Sequence, residues 1–251
     1  MRKIGFLLTA TNAYLPLGIR FVKQFRKHYV GQDRVLFHMI ADDDPHKYTQ
    51  DRDIIWTYRK HTDWARATES RFEEFLKLDA EDLDYVFWID ADTCVTKPTD
   101  LSWLIGDLVV CEHFGNKTWL GEQKNYDRNP KCNAYVSLTD PRPKTYYMGM
   151  LWGGKHGLAM HVARHIVRWV KDDHYRGQYA AVQDESYINK YFLDNPPAKV
   201  VPWEEFPFVV SDKGGIPETR DVNFDTTEMK AEMVRLRDKQ INIHLGKVIE
   251  A

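Results

Sequence analysis

Between Lys3 and Val95 the chain alternates short apolar runs with amphipathic ones, and this alternation restricts the fold more than any other feature. KIGFLLTA reads as a first strand, and the turn TNAYLPLG leads into a helix carrying IRFVKQFRKHY with apolar residues on one face. VLFHMIA reads as a buried strand closed by the acidic turn DDDP, and DIIWTYR as a third strand. ATESRFEEFLKLDAED is expected to form one amphipathic helix, with Phe72, Phe75, Leu76 and Leu78 on its apolar face. It delivers the chain to the buried strand YVFWI. Strands alternating with helices imply an α/β fold with a largely parallel sheet, and such sheets bind ligands at the carboxyl ends of their strands.

After residue 108 the pattern changes. LVVCEHF is strand-like, a long turn-rich segment follows, and TYYMGMLWGG is strand-like again. Helices are expected from about Leu158 to Asp172, around QDESYINKYFL, and in the polar tail near DTTEMKAEMVRLRDKQ. The reading is one domain over residues 1–251, with a first half to about residue 108 and a substrate-shaping half with its tail from 109 on.

Composition narrows the partners. Thirty-five Lys and Arg against thirty-seven Asp and Glu leave a net charge of −2, which attracts neither nucleic acid nor an anionic membrane. A small molecule is the expected partner. Cys94, Cys111 and Cys132 lack metal-site or disulfide-framework spacing and suit a reducing compartment. MRKIGFLLTATNA has the outline of a signal peptide, but its short apolar run also fits a first core strand. No segment reaches the roughly 18 apolar residues of a membrane span, so a soluble, cytoplasmic protein is expected.

VFWIDADTCV, residues 86–95, ends an apolar strand on two aspartates. If the strand continues through them, Asp90 and Asp92 share a face, and a hard divalent cation would relieve their repulsion and bridge to a substrate phosphate. Two other readings stay open: local capping and hydrogen bonding of both aspartates, and a phosphatase that attacks phosphate with the first and protonates the leaving group with the second. Against the phosphatase, Thr93 sits one place early and the motif lies late in the chain.

Two later stretches, TYYMGMLWGG at 145–154 and QDESYINKYFLDNPPAKVVP at 183–202, lie in order and register with DYVFWIDAD. Together the three resemble glycosyltransferase family six, the family of the blood-group A and B transferases and the α1,3-galactosyltransferase, over about residues 3–205. The resemblance implies a GT-A fold, a Rossmann-like mixed sheet flanked by helices, with a nucleotide-sugar-binding half to about residue 108 and an acceptor-binding half with its tail from 109 on. It also implies retaining transfer of galactose or N-acetylgalactosamine from a UDP-sugar to the 3-hydroxyl of a galactose-terminated glycan. By this likeness Thr9, Ala10, Thr11 and Tyr14 lie near the base and ribose, and Arg71 and Ala91 contact the donor. Asp90 and Asp92 would hold Mn2+ or Mg2+. Asp184 would meet the donor sugar and Glu185 the reacting carbon, with His113, Trp152, Glu185 and Glu204 facing the acceptor. In the tail, Lys247 would reach the diphosphate and His244 the metal, or the segment is a solvated end. The missing amino-terminal anchor suggests a prokaryotic or phage-type relative.

The chemistry asks for one carboxylate. A metal-bound UDP leaves as a stable anion, so no general acid is needed, and Glu185 could act as nucleophile or stabilise oxocarbenium charge. Alternatively it is a helix-start acid favoured by the dipole. On a strand, Met148 and Met150 flank Gly149 on one face and could line the sugar pocket, where the bulk of Met150 would favour UDP-galactose; otherwise they fill the core. A non-catalytic sugar-binding protein is the remaining alternative, and the oligomeric state is open.

Overall fold

The first strand, β1 (Lys3–Thr9), is buried through its centre, as a near-continuous apolar run must be when both sheet faces are covered. β2 (Arg34–Ala41) and β4 (Tyr85–Ile89) flank it in parallel, and β3 (Ile54–Tyr58) extends the sheet beyond β2. A computed structural model describes residues 1–62, 64–79, 81–95, 97–113 and 126–210. Beyond β4 come β7 (Tyr147–Lys155), β6 (Leu108–Glu112) and β8 (Lys199–Val201), giving the order β3-β2-β1-β4-β7-β6-β8. β7 runs antiparallel to both neighbours, so the sheet is mixed although mostly parallel. β5 (Thr93–Val95) and β9 (Phe208–Val210) form a separate antiparallel pair. This is the α/β architecture of a GT-A fold, with both halves of the chain sharing one sheet.

Helices cover both faces. α1 (Leu15–His28) begins with a proline in its first turn, ends on Arg26, Lys27 and His28 where cations suit the helix dipole, and buries Phe21, Val22 and Phe25. Phe6, Phe25 and Phe37 form the centre of this layer, Phe6 stacking on Phe37 at 6.0 Å and Phe25 meeting Phe37 edge-on at 5.3 Å. Gly18 lets α1 approach the end of β1, since a Cβ there would come within 2.8 Å of the Ala10 Cβ. The opposite face carries α4 (His156–Tyr175) and α5 (Gln183–Asp194), close to their expected positions.

The single helix expected before β4 is two short ones, α2 (Trp64–Glu69) and α3 (Arg71–Leu76). They part at Ser70, whose hydroxyl bonds back to the Ala67 carbonyl at 3.2 Å, the local competition that bends helices at serine. Phe72 and Phe75 are buried as expected. The tail helix, Lys247 and His244 lie outside the described residues, as do residues 114–125 of the turn-rich segment.

Candidate active site

β1 and β4 end side by side, and the segments that follow them form the walls of an open cleft of about 100 Å3. Thr9 at the end of β1 and Thr11 and Tyr14 after it line the cleft, as do Asp90, Ala91 and Asp92 after β4. The aspartates are not strand residues. β4 stops at Ile89, and the Thr93 amide donates to the Asp90 carbonyl at 3.1 Å, closing a tight turn. The turn, rather than the two-residue strand period, brings both aspartates to the cleft.

Asn12 takes φ 53°, a left-handed conformation, as the chain leaves β1 through a 3-10 turn over Asn12–Tyr14. Ala10 is fully buried beneath this turn and offers no side chain to the cleft. Thr11 Oγ1 lies 2.9 Å from His61 Nδ1. His61, Thr62, Ala67, Thr68 and Trp88 also line the cleft, and the sequence reading missed them. Only Trp88 left a signal, because it sits two positions before Asp90; its indole N–H donates to Asp90 Oδ1 at 2.8 Å.

Arg71 joins the pieces. Its Nη1 donates to the Gly149 carbonyl at 2.9 Å and lies 2.7 Å from Asp184 Oδ2 and 3.4 Å from Asp90 Oδ1. The guanidinium also sits over the Trp88 ring, 4.5 Å from its centre. Burial pushes the Asp184 carboxyl up to about 7; Arg71 opposes that shift, while Asp90 and Glu185 add to it. Burial prevails because the Arg71 contact with Oδ2 is close but not aligned as a hydrogen bond. Next to Asp184, Glu185 Oε2 accepts the Gly149 amide at 2.9 Å.

Several expected contacts fall elsewhere. Trp152 is 0% exposed and stacks on Phe75 at 4.5 Å between the sheet and α3, so it does not meet an acceptor. Met148 and Met150 pack in the apolar core with Ile89 and Ala91. Strand alternation gives Gly149 the opposite face, where Asp184 and Glu185 stand. The methionine side chains therefore do not converge with these acids. His113 is buried at the end of β6 with its ring edge against Tyr146, and Glu204 is exposed in a 3-10 turn over Trp203–Glu205.

The donor set suits a hard cation. Two carboxylates open on the cleft, and the Trp88 and Arg71 contacts of Asp90 both fall on Oδ1. Among the described residues no group of three or more His, Cys, Asp or Glu converges.

The sequence model described as Glycosyltransferase family 6 matches residues 2–235. Globoside alpha-1,3-N-acetylgalactosaminyltransferase 1 of Gallus gallus is 26% identical over 92% of this chain and 69% of its own length. Histo-blood group ABO system transferase 2 of Rattus norvegicus is 26% identical over 79% of this chain, which spans 61% of the rat protein. O-antigen biosynthesis glycosyltransferase WbnI of Escherichia coli is 23% identical over 76% of this chain and 80% of its own length. Among the described residues no helix is long and apolar enough to cross a membrane. With the family model covering nearly the whole chain, and an acid-lined cleft at the sheet edge where a GT-A fold binds its ligands, the protein is a glycosyltransferase and belongs to glycosyltransferase family 6.

Proposed function

We propose that this glycosyltransferase moves galactose from UDP-galactose to the 3-hydroxyl of an acceptor galactoside in α linkage, with retention and with Mn2+ or Mg2+ held by Asp90 and Asp92. The observation that carries the reading is the meeting of three segments at one sheet edge: the turn after β1, the aspartate turn after β4, and the Arg71–Asp184–Glu185 group. Thr9, Thr11 and Tyr14 bind the base and ribose, and His61 steadies Thr11. A bound cation would offset charge on the diphosphate. Transfer breaks the bond from the anomeric carbon to the diphosphate oxygen, its electron pair leaving with UDP. The acceptor oxygen bonds to that carbon, and its proton passes to the departing phosphate oxygen or to solvent. Glu185 serves the carbon where positive charge grows, by bonding to it or by stabilising that charge. Asp184, held by Arg71, contacts the sugar hydroxyls.

Galactose is the first reading on the family likeness of the Met148–Gly149–Met150 stretch, which adjoins the aspartate turn through the Met150 carbonyl, acceptor of the Asp90 amide at 3.0 Å. N-acetylgalactosamine is the second reading. It is favoured by the burial of both methionine side chains in the core and by the names of the globoside transferases among the relatives.

Incubation with Mn2+ and each UDP-sugar, followed by UDP release, tests the proposal. UDP-galactose should turn over, and EDTA or Asp92→Ala should stop it. Silence toward both sugar nucleotides, or release of phosphate from simple phosphomonoesters instead, would overturn it. Glu185→Gln should bind UDP normally in calorimetry yet lose on the order of 10²-fold or more in kcat, because its contribution belongs to the transition state.

A further inference from the structure

We infer that Trp88 is a positioning residue for the transfer reaction, its indole N–H fixing the Asp90 carboxylate so that the second oxygen is kept for the cation. The inference deepens the proposed function and rests on its assignment of Asp90 to Mn2+ or Mg2+. Trp88 is 2% exposed near the end of β4, paired with Leu7 of β1 on one side and Trp152 of β7 on the other, so the sheet sets where its ring lies. Asp90 lacks that support. It stands beyond the strand, in the turn closed by the Thr93 amide, and its side chain is 33% exposed. The turn fixes its backbone and leaves the carboxylate free to rotate. The indole N–H removes that freedom by donating to Oδ1 at 2.8 Å.

Arg71 shows what the N–H prevents. Its guanidinium lies over the Trp88 ring, 4.5 Å from the centre, and comes within 3.4 Å of the same Asp90 Oδ1. Its shorter contacts go to Asp184 Oδ2 at 2.7 Å and the Gly149 carbonyl at 2.9 Å. With Oδ1 engaged by an uncharged donor, no hydrogen bond or ion pair falls on Oδ2 among the described residues. A carboxylate released from the indole would turn onto the guanidinium in the two-pronged pairing that arginine favours, and that charge would then compete with the metal. One ring thus serves both partners: its edge directs Asp90, and its face holds Arg71 where Asp184 meets it. A hydrogen bond behind a ligating carboxylate carries part of a site's metal affinity.

Trp88→Phe keeps an aromatic ring and deletes the donor. Mn2+ titrated into the variant with UDP present, the free ion followed by electron paramagnetic resonance, should bind about 10- to 100-fold more weakly than to wild type. With UDP-galactose, the Mn2+ concentration for half-maximal turnover should rise by the same factor, while kcat at saturating Mn2+ falls by less. Because Phe is also smaller, a second variant carries β-(3-benzothienyl)alanine at position 88, which keeps the shape of the indole with sulfur in place of its N–H. It should lose Mn2+ affinity equally. Trp103→Phe is the control: its indole donates to the Asp100 carbonyl at 2.9 Å, and its loss should leave Mn2+ affinity in place. Melting temperatures check that each variant folds; a merely structural role would lower them without moving Mn2+ affinity. Wild-type Mn2+ affinity in a folded variant at position 88, or an equal loss in Trp103→Phe, would overturn the inference alone. A wild-type enzyme that binds no Mn2+ with UDP would instead overturn the metal assignment of the parent reaction, and this role with it.

Discussion

Gly149 sits where the site is most crowded. A Cβ there would stand 2.7 Å from Asp184 Oδ2 and 3.5 Å from Glu185 Oε2. Asp184 has no room to withdraw, because it is buried and its Oδ2 lies 2.7 Å from Arg71. Gly149→Ala should therefore lose most UDP release and about 1–3 kcal/mol of stability in urea unfolding, the usual cost of overpacking. An alanine variant with wild-type turnover would show that Asp184 moves freely. The left-handed residues that are not glycine tell the same story. Asn12 and Gln183, at φ 53° and 35°, stand one beside Thr11 and the other beside Asp184. Backbone strain of this kind is kept where surrounding structure over-determines it, commonly at functional sites.

At the scale of elements, α4 and α5 are joined to the segment ahead of β7 through one carboxylate. Asp173 of α4 is 0% exposed and accepts from the Tyr187 hydroxyl of α5 at 2.8 Å, the Asn133 amide at 2.9 Å and Arg176 Nη2 at 2.6 Å. The Cys132 thiol also donates to it at 3.0 Å, and burial, with Asp173 adding to it, pushes that thiol up to about 12. A neutral, bonded thiol is inert, in keeping with the free cysteines expected from their spacing. Asp173→Asn should cost about 3 kcal/mol in urea unfolding, because it leaves Arg176 and several donors without their anion. A loss below about 1 kcal/mol would mark the cluster as no stronger than a surface pair.

Across the whole molecule, the position of β7 matters most. It pairs with β4 on one side and β6 on the other, so the segments before and after about residue 108 hydrogen-bond through a common strand. The Arg71–Gly149 bond and the Arg71–Asp184 ion pair cross the same boundary. The described residues should accordingly unfold together: far-ultraviolet and near-ultraviolet circular dichroism should trace coincident thermal transitions. Separate transitions would mean that the halves fold independently despite the shared sheet.

The sequence by itself determined the strands and the long helices, because period and apolar content are local properties of a segment. β1, β2, β4, α4 and α5 were legible in this way, and the three motifs in register named the family and marked Asp90, Asp92, Asp184 and Glu185. Contacts between segments were not legible. Arg71 and Gly149 are 78 positions apart, and nothing in either stretch says that they touch. Trp152 looked like an aromatic free to meet a sugar until α3 covered it, and Met148 and Met150 looked like pocket walls until the sheet turned them into the core. Which face of a strand meets solvent, and which buried acid finds which base, depends on how helices pack across the sheet; only the tertiary structure decided that.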